Sequence, residues 1–392
     1  MSALQYWVWL SMRAVRPEIK NELLSHCDDV RTLYYARRAD LTGLDVRLRP
    51  AELSSLLDKD LCAADGALEL CERRGVSVIT LQDAQYPVRL GNLTDAPCVL
   101  YVLGRLPRID DRPAVTVIGT RRASDSGLRT ARTFGADIAR SGCILVSGMT
   151  DGIDGAAAVA AMDAGGTVIG VTGCAIDAGY AGTVAARAAE RGAVVSEFAP
   201  GDRAFGGFRL RNRITAGLSL ATILIEAPEK SGALLFARET AAQGKETFVV
   251  PGDVNGKSCA GSNALLTGGA APALRAWDVL SGFQSAYPVL REPEAQEPPE
   301  PEPPAPEQKG IDKENGAAYI DMEMLQKHLT TPELQIVKAL APGALPLDEL
   351  LERAGLPQTE AMPAITMLQI MGVVEPLPGK RYRIGTIPDV KD

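Results

Sequence analysis

From Ala114 onward one pattern repeats: short runs of β-branched and apolar residues alternate with Ala-rich stretches of helical spacing. The runs at 115–118, 143–146, 167–171, 193–195, 222–225 and 247–250 read as strands, with helices near 126–140, 154–164, 182–191, 211–217 and 232–243 between them. A strand that is apolar at every position is covered on both faces, which a parallel sheet built from βαβ crossovers provides. The pattern therefore predicts an α/β protein with a Rossmann-like, doubly wound parallel sheet.

The flanks differ in character. Residues 1–75 carry short apolar stretches at helical spacing and read as a helical N-terminal domain. The Rossmann-like domain is expected over 76–284, opening on a strand candidate at 76–80. Residues 291–309 hold seven prolines and six glutamates with no large apolar side chain. Such a segment buries too little surface to offset its ordering entropy, so 285–318 is expected to be a Pro/Glu-rich linker.

In the last stretch, 319–392, Thr331-Pro332-Glu333 starts a helix to Leu340, and 347–354 forms a second that ends at Gly355. A third runs over 357–371, and a hairpin over 373–384 turns at Pro378-Gly379. This is the outline of a winged-helix domain. Its third helix offers Gln358, Thr359, Glu360 and Gln369 but no cation, so sequence-specific duplex reading is not expected of it. Lys380, Arg381 and Arg383 on the wing leave nonspecific phosphate contact or partner docking open.

Charge and composition exclude several function classes. The 392-residue chain has a net charge of -8, but Lys plus Arg number 10 against 18 acids after residue 284, so the acidity belongs to the tail. It says nothing against a basic groove in the middle domain. No apolar run approaches the roughly 18 to 20 residues of a membrane helix, and residues 1–10 lack a basic lead into an apolar core, so a cytoplasmic protein without a membrane partner is expected. The seven cysteines include no C-x-x-C pair and read as reduced thiols. Only His26 and His328 are present, neither spaced as a metal ligand.

In a doubly wound sheet, ligands sit beyond the carboxyl ends of the strands. Three of the loops there share a character: 119–127 with Arg121 and Arg122, 147–154 opening on Ser147-Gly148, and 226–232 with Lys230-Ser231-Gly232. Each puts Gly and hydroxyl residues at a helix start, where free N–H groups and the helix dipole favour an anion. None is a G-x-G-x-x-G or P-loop fingerprint, so no tightly bound cofactor is expected.

The segment 200–213 adds four arginines and two aromatics against one aspartate, with Phe208, Arg209, Arg211, Asn212 and Arg213 at its end. Arginine forks pair with phosphates and aromatic faces stack on bases, the combination used for single strands. The acidic partners needed to neutralise these arginines are scarce in the neighbouring sequence. Asp154, Asp177, Glu197 and Glu226 stand near strand ends without a companion His or nucleophile, and read as loop-fixing groups rather than a catalytic set.

These residues resemble the DprA (Smf) DNA-processing protein family over about 76–280. The markers are Tyr86-Pro87, Asp95-Ala96-Pro97, Gly119-Thr120-Arg121, Ser147-Gly148, Gly152-Ile153-Asp154, Ser196-Glu197-Phe198, Phe208 with Arg211-Asn212-Arg213-Ile214, Glu226-Ala227 with Lys230-Ser231-Gly232, Pro251-Gly252 and Gly261-Ser262-Asn263. The resemblance implies a homodimer through the Rossmann-like domain that binds single-stranded DNA, protects incoming strands in natural transformation and loads a RecA-type recombinase. It places groove contacts on Arg121, Phe208, Arg211 and Arg213, and implies no enzyme activity.

Departures fall at Thr120 for the usual Ser, at Ala158 for a His, and at 180–184, so family contacts from the 174–187 loop are not carried over to this chain. Arg209 replaces a Pro and adds a cation. The competing readings are an enzyme acting on a nucleotide or nucleoside phosphate in the same crevice, and an adaptor whose winged helix and linker bind proteins.

Overall fold

The computed structural model describes residues 3–177, 182–202, 207–294, 331–340, 343–370, 374–377 and 381–384. The chain divides into two compact units, Met1–Ala295 and Gln296–Asp392.

The first unit is built on a nine-stranded sheet. Its strands are β1 (Val76–Thr80), β2 (Val99–Gly104), β3 (Ala114–Ile118), β4 (Ile144–Ser147), β5 (Val168–Val171), β6 (Ala193–Ser196), β7 (Ala221–Leu224), β8 (Glu246–Val249) and β9 (Ala271–Pro272). Their order is β1-β2-β6-β5-β4-β3-β7-β8-β9. All pairings from β6 through β9 are parallel, for example Val115 opposite Ala221 where β3 meets β7. β1 and β2 extend the sheet antiparallel to this core, β2 pairing with β6.

The strands β3 to β7 are buried at every position, as expected of strands covered on both faces, whereas Glu246 at the start of β8 is exposed. The chain leaves β3 toward β4 on one side, then crosses from β6 back to β7 on the other. Between β3 and β7, then, the connections diverge and open a crevice at the strands' carboxyl ends. The helices Asp125–Arg140, Ile153–Asp163 and Gly232–Ala242 begin at that end, after β3, β4 and β7.

The N-terminal helices are not a separate core. In Ala3–Met12, five consecutive residues from Tyr6 to Leu10 are buried, so this helix is enclosed on all sides. Tyr6, Trp9, Tyr34 and Tyr35 form one aromatic cluster with ring centroids 4.8 to 6.0 Å apart. Ser11 meets the buried Tyr101 hydroxyl of β2 at 3.0 Å, and the buried side chains of these helices are continuous with those under the sheet.

The second unit has helices Thr331–Leu340, Leu347–Ala354 and Gln358–Ile370 around Ile336, Leu340, Leu350, Ile365 and Leu368. A small sheet orders Leu345–Pro346, Arg381–Ile384 and Val374–Leu377. This is a winged helix. Gly355 ends the second helix at φ 65°, where an L side chain is disfavoured. Arg383 pairs with Glu375 at 2.8 Å, while Lys380 and the Pro378-Gly379 turn lie outside the described residues, as do 295–318 of the expected linker.

Candidate nucleic-acid interface

The crevice between β3 and β7 holds a cavity of about 610 Å³. Into it converge Gly119 to Arg122 from the first loop, Thr150, Asp151 and Asp154 from the second, and Pro228 with Lys230 to Ala233 from the third. Arg211 and Asn212 arrive from the helix Gly207–Leu218. The lining thus carries four cations, Arg121, Arg122, Arg211 and Lys230, against two carboxylates, Asp151 and Asp154.

Local chemistry fixes this geometry. Ser124 caps the helix after β3 by accepting from Gly127 N–H at 3.0 Å, and Ser231 caps the helix after β7 by accepting from Ala233 N–H at 3.2 Å. The remaining free N–H groups of these first turns add positive potential at the crevice. Glu226 ties the first and third loops together. Its backbone carbonyl accepts from Thr120 N–H at 2.7 Å and its buried carboxylate from Ser124 N–H at 3.0 Å. A Cβ at Gly127 would collide with that carboxylate, so the glycine leaves room for it.

Asp154 is the buried acid of the site. It accepts from Gly119 N–H at 3.1 Å, and burial pushes its carboxyl up to about 6 against the opposing pull of the Arg211 guanidinium. Arg211 is held by its donation to the Gly148 carbonyl at 3.0 Å and to the Asn212 side-chain oxygen at 3.2 Å. A Cβ at Gly148 would stand 2.6 Å from that guanidinium, so this glycine clears the space in which Arg211 lies.

Not every expected residue faces the cavity. Arg121, Arg122, Arg211, Asn212, Lys230, Ser231 and Gly232 line it, with Arg121, Arg122 and Lys230 exposed. Ser147 is fully buried and serves the turn, accepting from Met149 N–H at 3.0 Å and donating to the Asp154 carbonyl at 3.4 Å. The side chains of Phe208 and Arg209 lie outside the described residues.

Arg213 departs most from the expected set. It is 2% exposed, donates to Glu197 at 2.6 Å and stands 3.4 Å from Asp95. The acidic partners, scarce in the neighbouring sequence, come from other elements. Asp95 belongs to the Asp95-Ala96-Pro97 segment, which Tyr86 holds by donating its hydroxyl to the Pro97 carbonyl at 2.7 Å. Two of the sequence markers therefore clamp the arginine-bearing helix. Lys20, buried beside this pair, donates to the Ser11 carbonyl at 2.7 Å, and burial lowers its pKa. Burial likewise raises that of Glu197, opposed by Arg213.

The other acids fix loops too: Asp177 pairs with Arg74 and accepts from Gly201 N–H at 2.9 Å. Residues outside the expected set that line the cavity are Ile118, Gly119, Thr120, Thr150, Asp151, Asp154, Pro228, Ala233 and Phe236. Phe236 was within reach of sequence reasoning, since it lies one turn beyond Gly232 on the same helix face.

Residues 77–284, more than half of the chain, match the model of the family described as DNA recombination-mediator protein A, and residues 321–380 match that of the DprA winged helix domain. The chain is 27% identical to Protein Smf of Synechocystis sp., covering 96% of this chain and 98% of that protein. It is 29% identical to the DNA processing protein DprA of Bacillus subtilis, over 59% of this chain and 80% of that one. Among solved structures, the DNA processing protein A of Streptococcus pneumoniae superposes with a TM-score of 0.60 at 24% identity, covering 72% of this chain and 98% of that chain. With its Rossmann-like sheet, its winged helix and a family match over more than half its length, the chain belongs to the DNA recombination-mediator protein A (DprA) family.

Proposed function

We propose that the chain binds single-stranded DNA in the crevice between β3 and β7 and acts without catalysis as a DNA-processing protein. The observation that carries this reading is the convergence of capped helix N-termini and four cations on one cavity at the switch point of the sheet. Phosphates meet Arg121, Arg122, Lys230 and the free N–H groups of the first turns. Asn212, which can donate and accept, and Phe236 at the cavity wall offer contacts for sugar or base.

The names of the relatives and of the family, with the resemblance in the sequence, support the wider role: a homodimer that protects incoming strands in natural transformation and hands them to a RecA-type recombinase. The buried carboxylate of Glu226 supports a non-enzymatic role, since it is engaged by the Ser124 N–H of the loop it joins.

The test is fluorescence anisotropy of labelled oligo-dT against a matched duplex over a salt series. Four neutralised phosphates give a log-log slope of about -3, at roughly -0.7 each, and Arg121→Ala with Lys230→Ala halves it. Tighter binding of duplex, or binding indifferent to these substitutions, overturns the reading. A nucleotide-processing enzyme remains the second reading because Asp154, near 6, is suited to proton transfer. Turnover of nucleoside monophosphates that disappears in Asp154→Asn would establish it.

A further inference from the structure

The opposite end of the sheet carries another cavity, of about 780 Å³. Its walls come from the amino ends of the parallel strands, with Thr167 just before β5, Gly192 just before β6 and Arg112 ahead of β3. The antiparallel β2 ends there, and the chain beyond it supplies Arg105 and Arg108. Four arginines, Arg105, Arg108, Arg112 and Arg191, line the cavity against one carboxylate, Glu190.

Backbone geometry brings these arginines together. Gly104, at φ 86°, lies against the carbonyls of Ala189 and Gly192, where a Cβ would collide, and Arg105 N–H donates to the Gly192 carbonyl at 2.7 Å. This fastens the end of β2 to the end of the helix Gly182–Arg191 and brings Arg105 and Arg191 to one rim. Arg108 shares its charge with Asp111 at 3.0 Å, whereas Arg105, Arg112 and Arg191 have no ion-pair partner among the described residues.

In a chain of net charge -8, three arginines on one concave surface with no ion-pair partner among the described residues repel each other. Their forked donors match phosphate oxygens, and Leu106 with Pro107 adds apolar wall for sugars or bases. The helix that reaches the cavity presents its carboxyl end, whose dipole disfavours a compact anion bound there. Cations spread along a rim suit successive phosphates of an extended chain instead.

We propose that this arginine-lined cavity is a second contact site for the phosphodiester backbone of a nucleic acid strand, at the end of the sheet opposite the crevice. It extends the strand-binding reading of the crevice, and its test separates the two. In the full-length protein, Arg105→Ala/Arg191→Ala removes two phosphate contacts at exposed positions. The slope against salt for a long oligo-dT then becomes shallower by about 1.4, and affinity falls about 25-fold at roughly 0.1 M salt. Arg105→Lys/Arg191→Lys keeps both charges and recovers most of that slope, and circular dichroism verifies that each variant is folded.

Unchanged affinity and slope in the alanine pair, with the loss confined to Arg121→Ala/Lys230→Ala, overturns the proposal and leaves the crevice standing. Loss in the Arg105/Arg191 pair alone supports it and overturns the crevice reading. If neither pair alters binding, both readings fall. Protection of Arg105 and Arg191 from phenylglyoxal by thymidine monophosphate, as complete as that by oligo-dT, would make the occupant a free phosphate monoester and overturn the strand assignment.

Discussion

Arg211 and Arg213 lie two residues apart on one helix, and the structure places them in different surroundings, Arg211 at the crevice and Arg213 against two carboxylates. Arg213, 2% exposed, faces Glu197 at 2.6 Å and Asp95 at 3.4 Å, so Arg213→Ala leaves a buried carboxylate without its cation. One Glu197 oxygen is already buried without a hydrogen-bond partner, so it cannot compensate. Removing one member of a buried pair costs about 3 to 5 kcal/mol, some two to four orders of magnitude in the folded-to-unfolded ratio.

Urea unfolding of the wild type and variant measures this directly, with oligo-dT anisotropy run on the same samples well below the unfolding midpoint. The loss lessens as the pH falls, because the Glu197 carboxyl, raised by burial, takes a proton and ceases to need a counter-charge. Arg213→Met with Glu197→Leu removes both charges and recovers most of the stability. Binding below the midpoint stays near wild type. If Arg213→Ala unfolds within about 1 kcal/mol of wild type and loses strand binding instead, Arg213 is a ligand contact, as the family resemblance implies, and the burial argument is refuted.

Three further outcomes are expected. Asp154, raised to about 6 from 3.8, is penalised by about 3 kcal/mol when ionised in the fold. That penalty is complete above pH 6 and is relieved as the pH falls from 6 toward 3.8, while strand binding tightens through the loss of a negative charge in the crevice. Asp154→Asn flattens both profiles, which pH-series melting and anisotropy check. Gly148→Ala places a methyl 2.6 Å from the Arg211 guanidinium, a flexible tip that moves aside. Binding falls roughly tenfold, about 1.4 kcal/mol, with little change in the unfolding midpoint. Lys245 donates to the Ala216 and Gly217 carbonyls at 2.6 and 2.8 Å, closing the C-terminal end of the arginine-bearing helix. Lys245→Met costs about 1 to 2 kcal/mol in urea unfolding by stranding those carbonyls.

Much of this molecule is local information. The β-branched and apolar runs at 115–118 and 222–225 needed nothing beyond their own composition to be read as buried parallel strands, and the Ser and Gly residues after them marked the capped helix starts at Ser124 and Ser231. That three loops meet in one crevice followed from a general property of doubly wound sheets. The boundaries were less legible. The arginine-bearing helix begins at Gly207 rather than 211, β9 is only two residues long and too short to show a pattern, and β2 stands outside the strand–helix alternation that begins at Ala114.

The sequence by itself determined the class of fold and which residue types stand at the strand ends, because periodicity and capping act over a few neighbouring residues. It could not determine which arginine lines the crevice. Residues 211 and 213 are separated by a little over half a helical turn, so they point to different faces, and which face meets the crevice depends on how the helix is packed. Only the tertiary structure brings Glu197 and Asp95 to one face and Gly148 to the other. The same long-range assembly turns Arg105 and Arg191, unremarkable where they stand in the chain, into neighbours on a single rim.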